Sequence, residues 1–161
     1  MLVSLEQTMY QMSQFFLLPT LLLIALLFLF SCYVAGKFLI EYMQRRRGGA
    51  RPLYRWWEAH RAASDDELDV FAHKQMETER IVTRVAPMMG LVATMIPMGP
   101  ALKSLSDGNF AAVSENLMVA FSAVILALIA ASITFFVVNI RRRWLAEEML
   151  EIANVRQQVI K

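Results

Sequence analysis

The sequence predicts an all-α membrane protein with three transmembrane helices and helical cytoplasmic extensions. The chain has 161 residues, of which 57% are hydrophobic, more than an ordinary soluble domain carries. Three stretches, 15–36, 85–102 and 117–140, contain no Asp, Glu, Lys or Arg. The shortest has 18 residues and as an α-helix reaches about 27 Å, close to the roughly 30 Å hydrocarbon core of a bilayer. Each stretch is therefore long enough to span a membrane.

The distribution of basic residues predicts how the chain is oriented in the membrane. Ten of the sixteen Lys and Arg residues lie within 37–84, five lie within 141–161, and only Lys103 lies between the second and third stretches. By the positive-inside rule, we expect the N-terminus outside the cell (inner) membrane and the C-terminus in the cytoplasm. The Arg triplets at 45–47 and 141–143 then fix this orientation and meet anionic lipid headgroups, so no nucleic-acid partner is expected.

The N-terminal region predicts two elements. Apolar residues there recur at spacings of three and four: Leu2, Leu5, Met9, Met12 and Phe16. This periodicity predicts a short amphipathic helix over 1–14 that lies along the outer membrane surface. The first span, 15–36, is mostly Leu and Phe, which suits lipid contact, so we expect it to be peripheral. Its lone Cys32 provides neither a disulfide framework nor the spacing of a zinc site.

The cytoplasmic segment, 37–84, contains one break and one helix start. Residues 47–52, Arg-Gly-Gly-Ala-Arg-Pro, form the clearest break. Ser64 and Glu67 have the spacing of a capping box, which predicts a helix from Asp65. Nothing before Pro87 would stop this helix, so we expect it to continue into the second span and to bend near Pro87.

The third span is expected to follow a turn at 106–109, Ser-Asp-Gly-Asn. After residue 140 the apolar periodicity continues through Leu145, Met149 and Ile152, which predicts one long helix that projects into the cytoplasm. The predicted organisation is an outer-surface helix (1–14), first span (15–36), cytoplasmic segment (37–84), second span (85–102), outer loop (103–116), third span (117–140) and cytoplasmic helical tail (141–161).

Two of the spans carry a continuous face of small residues. On the second span the face is Pro87, Gly90, Thr94, Pro97 and Ala101, and on the third it is Asn116, Ala120, Ala123, Ala127, Ala130 and Thr134. Such faces let helices pack closely on one another or on copies of themselves. The Thr94 hydroxyl either bonds only its own backbone one turn back or faces a mobile ion or partner helix, and spacing alone does not decide between these roles.

None of the three spans contains an ionisable Asp, Glu, His, Lys or Arg. A proton relay through a membrane normally uses such a side chain. If the protein conducts protons, the titrating carboxylate must therefore come from another chain. His60 and His73 are not part of a cluster with metal-ligand spacing, and neither a phosphate-binding Gly-rich loop nor a nucleophile motif is present. We therefore expect no enzyme activity, metal or cofactor.

Residues 86–96, Ala-Pro-Met-Met-Gly-Leu-Val-Ala-Thr-Met-Ile, resemble the second-span signature of the MotA/TolQ/ExbB proton-channel family, commonly Ala-Pro-Met-Leu-Gly-Leu-Leu-Gly-Thr. The predicted topology is similar as well. The resemblance implies a ring-forming oligomer, a homopentamer, around single-span ExbD/TolR/MotB-like subunits that carry a membrane Asp. Ion flow, with the proton as the expected ion, would drive mechanical work across the envelope. Thr94 would face the ion pathway, and Pro87 and Gly90 would shape the helix beside it.

The third span departs from the family pattern, which usually places one or two Thr residues before a Gly-Leu pair. Aligning that pair with Ala127 and Leu128 puts Ala123 and Val124 where Thr is expected. Ser122 is the nearest hydroxyl and the second candidate for the ion pathway.

An alternative alignment, anchored on Glu115, puts Ala120 at the Thr position, so the hydroxyl is missing in either alignment. The small packing faces are retained, whereas the polar lining is reduced. Two functions stay open: an ion-driven motor and a non-conducting scaffold ring with the same packing. A small transporter is a weaker third alternative, because the spans contain no charged or broken-helix substrate site.

Overall fold

The computed structural model describes residues 2–49, 51–61 and 63–160, and within these ranges all regular structure is α-helical. The five helices are α1 (Leu2–Arg46), α2 (Pro52–Ala59), α3 (Asp65–Gln75), α4 (Glu77–Ser106) and α5 (Phe110–Ile160). Three segments are long and apolar enough to cross a membrane: Gln14–Arg46, Glu77–Ser106 and Phe110–Gln158. The predicted all-α class with three candidate spans is confirmed.

Helix α1 runs without interruption from Leu2 to Arg46, so the expected N-terminal helix and first span belong to one element. No Gly or Pro precedes Pro19, and therefore nothing in the sequence ends a helix near residue 14. Met9 and Met12 are exposed, whereas the side chains of Leu2 and Leu5, on which the predicted amphipathic face also depends, lie outside the described residues. The location of 1–14 along the outer membrane surface stays a prediction.

In the connection from α1 to α3, helices end and begin at the Gly, Pro and capping residues of the sequence. Gly48 has a φ of +80°, a left-handed conformation that follows the last turn of α1. Pro52 begins α2. At the start of α3, the Glu67 backbone N–H donates to Ser64 Oγ at 3.3 Å, and the Ser64 backbone N–H donates to Glu67 Oε2 at 2.9 Å. The predicted capping box is confirmed.

The prediction of an uninterrupted helix from Asp65 into the second span is wrong. Helix α3 ends at Gln75, and Met76 separates it from α4 with φ −109° and ψ 0°. The Met76 side chain is buried in one cluster with Leu68 and Ala72. Burial of this apolar side chain against the core outweighs the local preference to continue the helix, a tertiary effect that local propensity does not register.

Helices α4 and α5 form a hairpin. Helix α4 continues through Pro87 to Ser106, and α5 begins at Phe110 and ends at Ile160. Gly108 between them has a φ of +75°. The predicted turn and the continuity of the predicted long third helix are confirmed, and only 107–109 lie outside helices between α4 and α5. The bounds 103–116 of the outer loop stay a prediction.

The described residues fall into two compact units. Unit 1 takes in those of 1–32 and 82–132, and unit 2 takes in those of 33–81 and 133–160. The clusters of unit 1 consist of alanines with a few larger aliphatic and aromatic side chains. The core of unit 2 is built from larger side chains, including Leu53, Trp57 and Ile152.

Candidate functional site

In unit 1, α4 and α5 approach each other closely at Gly90. A Cβ placed on Gly90 would lie 2.9 Å from the Cβ of Ala127 and 3.2 Å from Cγ2 of Val124. Real Cβ atoms need more room than this, so only glycine fits without a shift of the neighbouring helix. Close approach of this kind is what small residues permit between membrane helices.

The buried faces of the two helices consist mainly of small residues. On α5, the buried members of the predicted face include Ala120, Ala123, Ala127 and Ala130. On α4, Gly90, Pro97 and Ala101 are buried as well. Pro87 and Thr94 are only partly buried, because Ala86 and Ala93 occupy the buried positions next to them. The contact face of α4 is thus rotated slightly from the predicted one, and Pro87 and Thr94 lie at its edge.

Helix α1 packs on one side of this hairpin. Ile24 of α1 shares a cluster with Met89 and Leu126. Met89 immediately precedes Gly90, and Leu126 immediately precedes Ala127. In two antiparallel helices, the residues that precede the contact positions lie on the same side, and the residues that follow them lie on the other. The α1 side of the hairpin is therefore the side of Met89 and Leu126.

Thr94 lies toward the opposite side, because it immediately follows the buried Ala93 on α4. Its Oγ1 donates a hydrogen bond of 2.7 Å to the carbonyl oxygen of Leu91. A hydroxyl oxygen that donates in this way can still accept a hydrogen bond. Thr94 thus combines a satisfied donor with an acceptor available on the side of the hairpin away from α1.

Ser122 lies on the α1 side, because it immediately precedes the buried Ala123. It is exposed, and its Oγ donates a hydrogen bond of 2.7 Å to the carbonyl oxygen of Met118. Within one chain, Thr94 and Ser122 therefore face different sides of the hairpin. Their roles in an ion pathway stay predictions.

Unit 2 contains a buried ion-pair cluster that the sequence analysis missed. Arg141 Nη1 donates to Glu79 Oε1 at 2.6 Å, and its Nη2 and Nε donate to Glu41 Oε2 at 2.7 and 3.0 Å. Arg141 and Glu79 are each 7% exposed. The three residues belong to α5, α4 and α1, so one guanidinium joins all three long helices. Buried charges must be paired in this way, since an unpaired one is strongly destabilising.

A second buried carboxylate, Glu148, is 1% exposed. Its Oε1 accepts a hydrogen bond of 2.7 Å from Arg45 Nη1. Its Oε2 accepts from the backbone N–H groups of Leu53 and Tyr54 at 3.0 and 3.3 Å. These N–H groups belong to the first turn of α2 and have no partner within that helix. Glu148 of α5 therefore caps α2 and pairs with α1 at the same time.

Aromatic side chains lie beside the Arg45–Glu148 ion pair. The Trp144 indole stacks on the Phe38 ring, with centroids 5.4 Å apart and planes inclined by 11°. The Arg45 guanidinium lies over the Trp144 ring at 4.9 Å from its centroid. The cation is thus held by a carboxylate and by an aromatic face.

The sequence does contain a pattern that indicates buried charged residues on α5. Ala127, Thr134, Arg141 and Glu148 follow one another at seven-residue intervals, so Arg141 and Glu148 both continue the buried face of α5. Arg141 and Arg45, the first residues of the two triplets, turn inward and pair with buried carboxylates. Periodicity could therefore have placed Arg141 and Glu148 inside, although it could not have named their partners.

Among the described residues, no group of three His, Cys, Asp or Glu side chains is placed to hold a metal ion. His60 stacks on the Trp56 ring with centroids 4.6 Å apart, and His73 lies 3.3 Å from the Asp69 carboxylate. Both histidines thus have local structural contacts. Cys32 is exposed.

A comparison with protein-family models finds one match. The model of the MotA/TolQ/ExbB proton channel family matches residues 40–154. The matched range includes all of α2 to α4 and most of α5, and with them both small-residue faces and both ion-pair clusters. No curated protein and no solved structure matches the chain significantly.

Proposed function

Because the chain belongs to the MotA/TolQ/ExbB proton channel family, we propose that it is the ring-forming subunit of an ion-driven membrane motor. In this proposal five copies surround the single membrane helices of ExbD/TolR/MotB-like partner subunits in the inner membrane. The N-terminus lies outside, and the C-terminal tail lies in the cytoplasm. Proton flow between the ring and the partner helices drives mechanical work across the envelope.

The observation that carries the proposal is the family match, which extends over more than half of the chain and includes the whole second and third apolar stretches. The family is one of ion transport and not a class of enzymes. The Thr94 environment supports the same function. Thr94 lies on the side of the hairpin opposite α1, and its hydroxyl oxygen can accept a hydrogen bond from water or from a protonated carboxyl group.

The absence of charged residues from the apolar stretches supports an ion pathway that two kinds of subunit form together. None of 15–36, 85–102 and 117–140 contains an Asp or Glu. Proton transfer through the hydrocarbon region normally uses a titrating group, and an intramembrane carboxylate is the usual one. In the proposed complex, the partner helix carries this carboxylate and Thr94 of the ring lies beside it.

Ser122 has a smaller part in the proposal than Thr94. The two side chains face different sides of the hairpin within one chain, so a pathway that uses both requires two copies. Ser122 therefore takes part only where a neighbouring copy of the ring brings it toward the pathway.

The proposal is tested by proton flux into vesicles that contain a pH-sensitive dye and the protein co-purified with its partner subunit. Thr94→Val replaces the hydroxyl by a methyl group of similar size, and we expect the flux to disappear while the ring still assembles, as measured by native mass spectrometry. Thr94→Ser keeps the hydroxyl and should retain flux. Ser132→Ala is the matched control, because Ser132 also donates to its own backbone, at 2.8 Å from the Leu128 carbonyl.

Flux that is unchanged in the Thr94→Val variant would refute the role of Thr94. An equal loss in the Ser132→Ala variant would also refute it, since the loss would then follow from any missing hydroxyl in these helices.

A non-conducting scaffold ring is the second candidate function. Two observations favour it. Thr94 and Ser122 both donate to their own backbones, and α5 has Ala123 and Val124, or in the alternative alignment Ala120, where the family carries hydroxyls. A scaffold would retain assembly and partner binding but would give no flux even in the unaltered complex. The vesicle assay therefore separates the two candidates before any variant is made.

A further inference from the structure

A cavity of about 290 Å³ lies in unit 2 among α1, α2, α3 and α5. Its lining includes Lys37 and Ile40 of α1, Arg55 of α2, Gln75 of α3 and Arg141 of α5. The volume is close to the lower end of the range for small-molecule pockets, which suits a headgroup better than a whole lipid or a cofactor.

The charges of the cavity leave an excess of cations. Lys37 makes no ion pair or hydrogen bond among the described residues, and the Arg55 guanidinium has a single weak contact, 3.3 Å from the Gly49 carbonyl oxygen. Arg141 is paired with Glu41, which also lines the cavity, and with Glu79. Three cations therefore line the cavity, and the two carboxylates near them, Glu41 in the lining and Glu79 behind it, are both paired with Arg141. The two cations without a carboxylate partner lie on α1 and α2, and the five groups together leave one net positive charge for an anion.

Two helices independently place this cavity at the edge of the hydrocarbon region. Lys37 is the first charged residue after the apolar stretch 15–36, and Arg141 is the first after 117–140. Both line the same cavity. The ends of two apolar stretches thus meet at one level, where phospholipid headgroups lie. Basic pockets between membrane helices at this depth are typical binding sites for anionic headgroups.

The site also adjoins apolar surface. Lys37 immediately follows the apolar stretch 15–36, and Ile40, one helical turn further on, is 60% exposed. A ligand that fills the site should therefore present a phosphate to Lys37 and Arg55, while its hydrocarbon chains run back along the apolar stretch. A free phosphate would satisfy only the cations. We propose that this cavity binds the phosphodiester headgroup of an anionic phospholipid, with Lys37 and Arg55 as the anion ligands and the acyl chains beside 15–36.

The test is lipid binding to the purified full-length chain in detergent, measured by native mass spectrometry during titration with phosphatidylglycerol. The pocket variant is Lys37→Gln with Arg55→Gln. The matched control is Arg46→Gln with Arg47→Gln, which removes the same charge from exposed residues outside the cavity. We expect the pocket variant to bind roughly thirtyfold more weakly, the loss expected for two basic residues at an anionic headgroup, and the control to change far less.

Three further titrations define the ligand. Phosphatidylcholine, inorganic phosphate and glycerol 3-phosphate should all bind much more weakly than phosphatidylglycerol, because the first lacks a net charge and the others lack an acyl chain. Equal loss in the pocket variant and the control, or no loss in either, would overturn the site. Binding of inorganic phosphate as tight as that of the lipid would overturn the assignment to a phospholipid.

Lys37 and Arg55 are both exposed, so the pocket variant is expected to keep the thermal unfolding midpoint of the unaltered protein in the absence of added lipid. If the double variant does not fold, the single variant Lys37→Gln must lose part of the affinity relative to Arg47→Gln, and failure to do so also refutes the site. None of these measurements requires a partner subunit or proton flow, so the inference stands or falls separately from the proposed motor function.

Discussion

Units 1 and 2 share the same three long helices but are stabilised by different interactions. In unit 1, α4 and α5 are joined by small apolar residues, with Gly90 and Ala127 in close contact. In unit 2, the same helices are joined by Arg141 through Glu79, and Glu148 connects α5 to α1 and α2. Close packing needs no charge but tolerates no added volume, whereas buried ion pairs tolerate little loss of charge.

The difference suits the two tasks that the proposed motor has to perform. In that motor the partner helix supplies the titrating carboxylate, and the hairpin stretches 85–102 and 117–132 of unit 1 add no charge of their own. Mechanical work needs helices that are held in a fixed register. The two ion-pair clusters of unit 2 hold the helices in this way through directional hydrogen bonds.

The largest effect is expected for Arg141→Met in unit 2. The change leaves Glu41 and Glu79 without their shared cation, and removing one partner of a buried pair costs about 3–5 kcal/mol. The free energy of unfolding, measured by SDS titration in mixed micelles, should fall by that amount. Arg142→Met removes an exposed neighbour and should have little effect.

Adding Glu41→Gln and Glu79→Gln to Arg141→Met should restore part of the lost stability, because no unpaired charge then remains buried. If Arg141→Met and Arg142→Met were equally stable, unit 2 would not depend on this cluster.

Glu148→Gln should have the next largest effect. The amide keeps the size of the side chain but removes the charge that Arg45 and the α2 N–H groups contact, for a loss of about 1.5–3 kcal/mol. Hydrogen exchange of the Leu53 and Tyr54 amides should become faster. Glu147→Gln is the control, since the Glu147 side chain is 55% exposed. Unaltered amide protection in the Glu148→Gln variant would contradict the capping role.

Gly90→Ala tests unit 1 in the opposite way, by adding volume. The new Cβ would lie 2.9 Å from Ala127 Cβ, and overpacking of this kind costs about 1–3 kcal/mol. The double variant with Ala127→Gly should recover the loss. Gly36→Ala is the control, because a Cβ there meets no atom within 4 Å. Similar unfolding curves for Gly90→Ala and Gly36→Ala would show that close packing does not stabilise unit 1.

Ser64→Ala should have the smallest effect, about 1 kcal/mol, because it removes only the side-chain cap of α3. The comparison variant is Ser114→Ala, an exposed position within α5. Circular dichroism during thermal unfolding should detect a lower midpoint for Ser64→Ala alone. A midpoint that did not fall would mean that packing of α3 in unit 2 makes its cap dispensable.

The sequence predicted those features that local chemistry determines. Apolar stretches gave the three long helices, Ser64 and Glu67 gave the start of α3, and the residues around Gly108 gave the turn between α4 and α5. These features need no knowledge of distant residues, because capping, turn conformation and helical periodicity act within a few positions.

Features that depend on distant partners were not predicted. The break at Met76 follows from burial in the core of unit 2, and Arg141 finds Glu41 100 residues away along the chain. At the candidate site, the small-residue faces were predictable from spacing, but the slight rotation that leaves Thr94 at the edge was not. That rotation depends on how α1 and α5 pack against α4.

The most direct test of the proposed ion pathway is crosslinking between α4 and the partner helix. In a Cys32→Ser background, Thr94→Cys and Val92→Cys place single cysteines two residues apart, which is roughly 200° around the helix. With a partner that carries one cysteine next to its membrane Asp, we predict a disulfide with Thr94→Cys and none with Val92→Cys. Crosslinking through Val92→Cys alone would place the partner on the other face of α4 and contradict the assignment of Thr94 to the ion pathway.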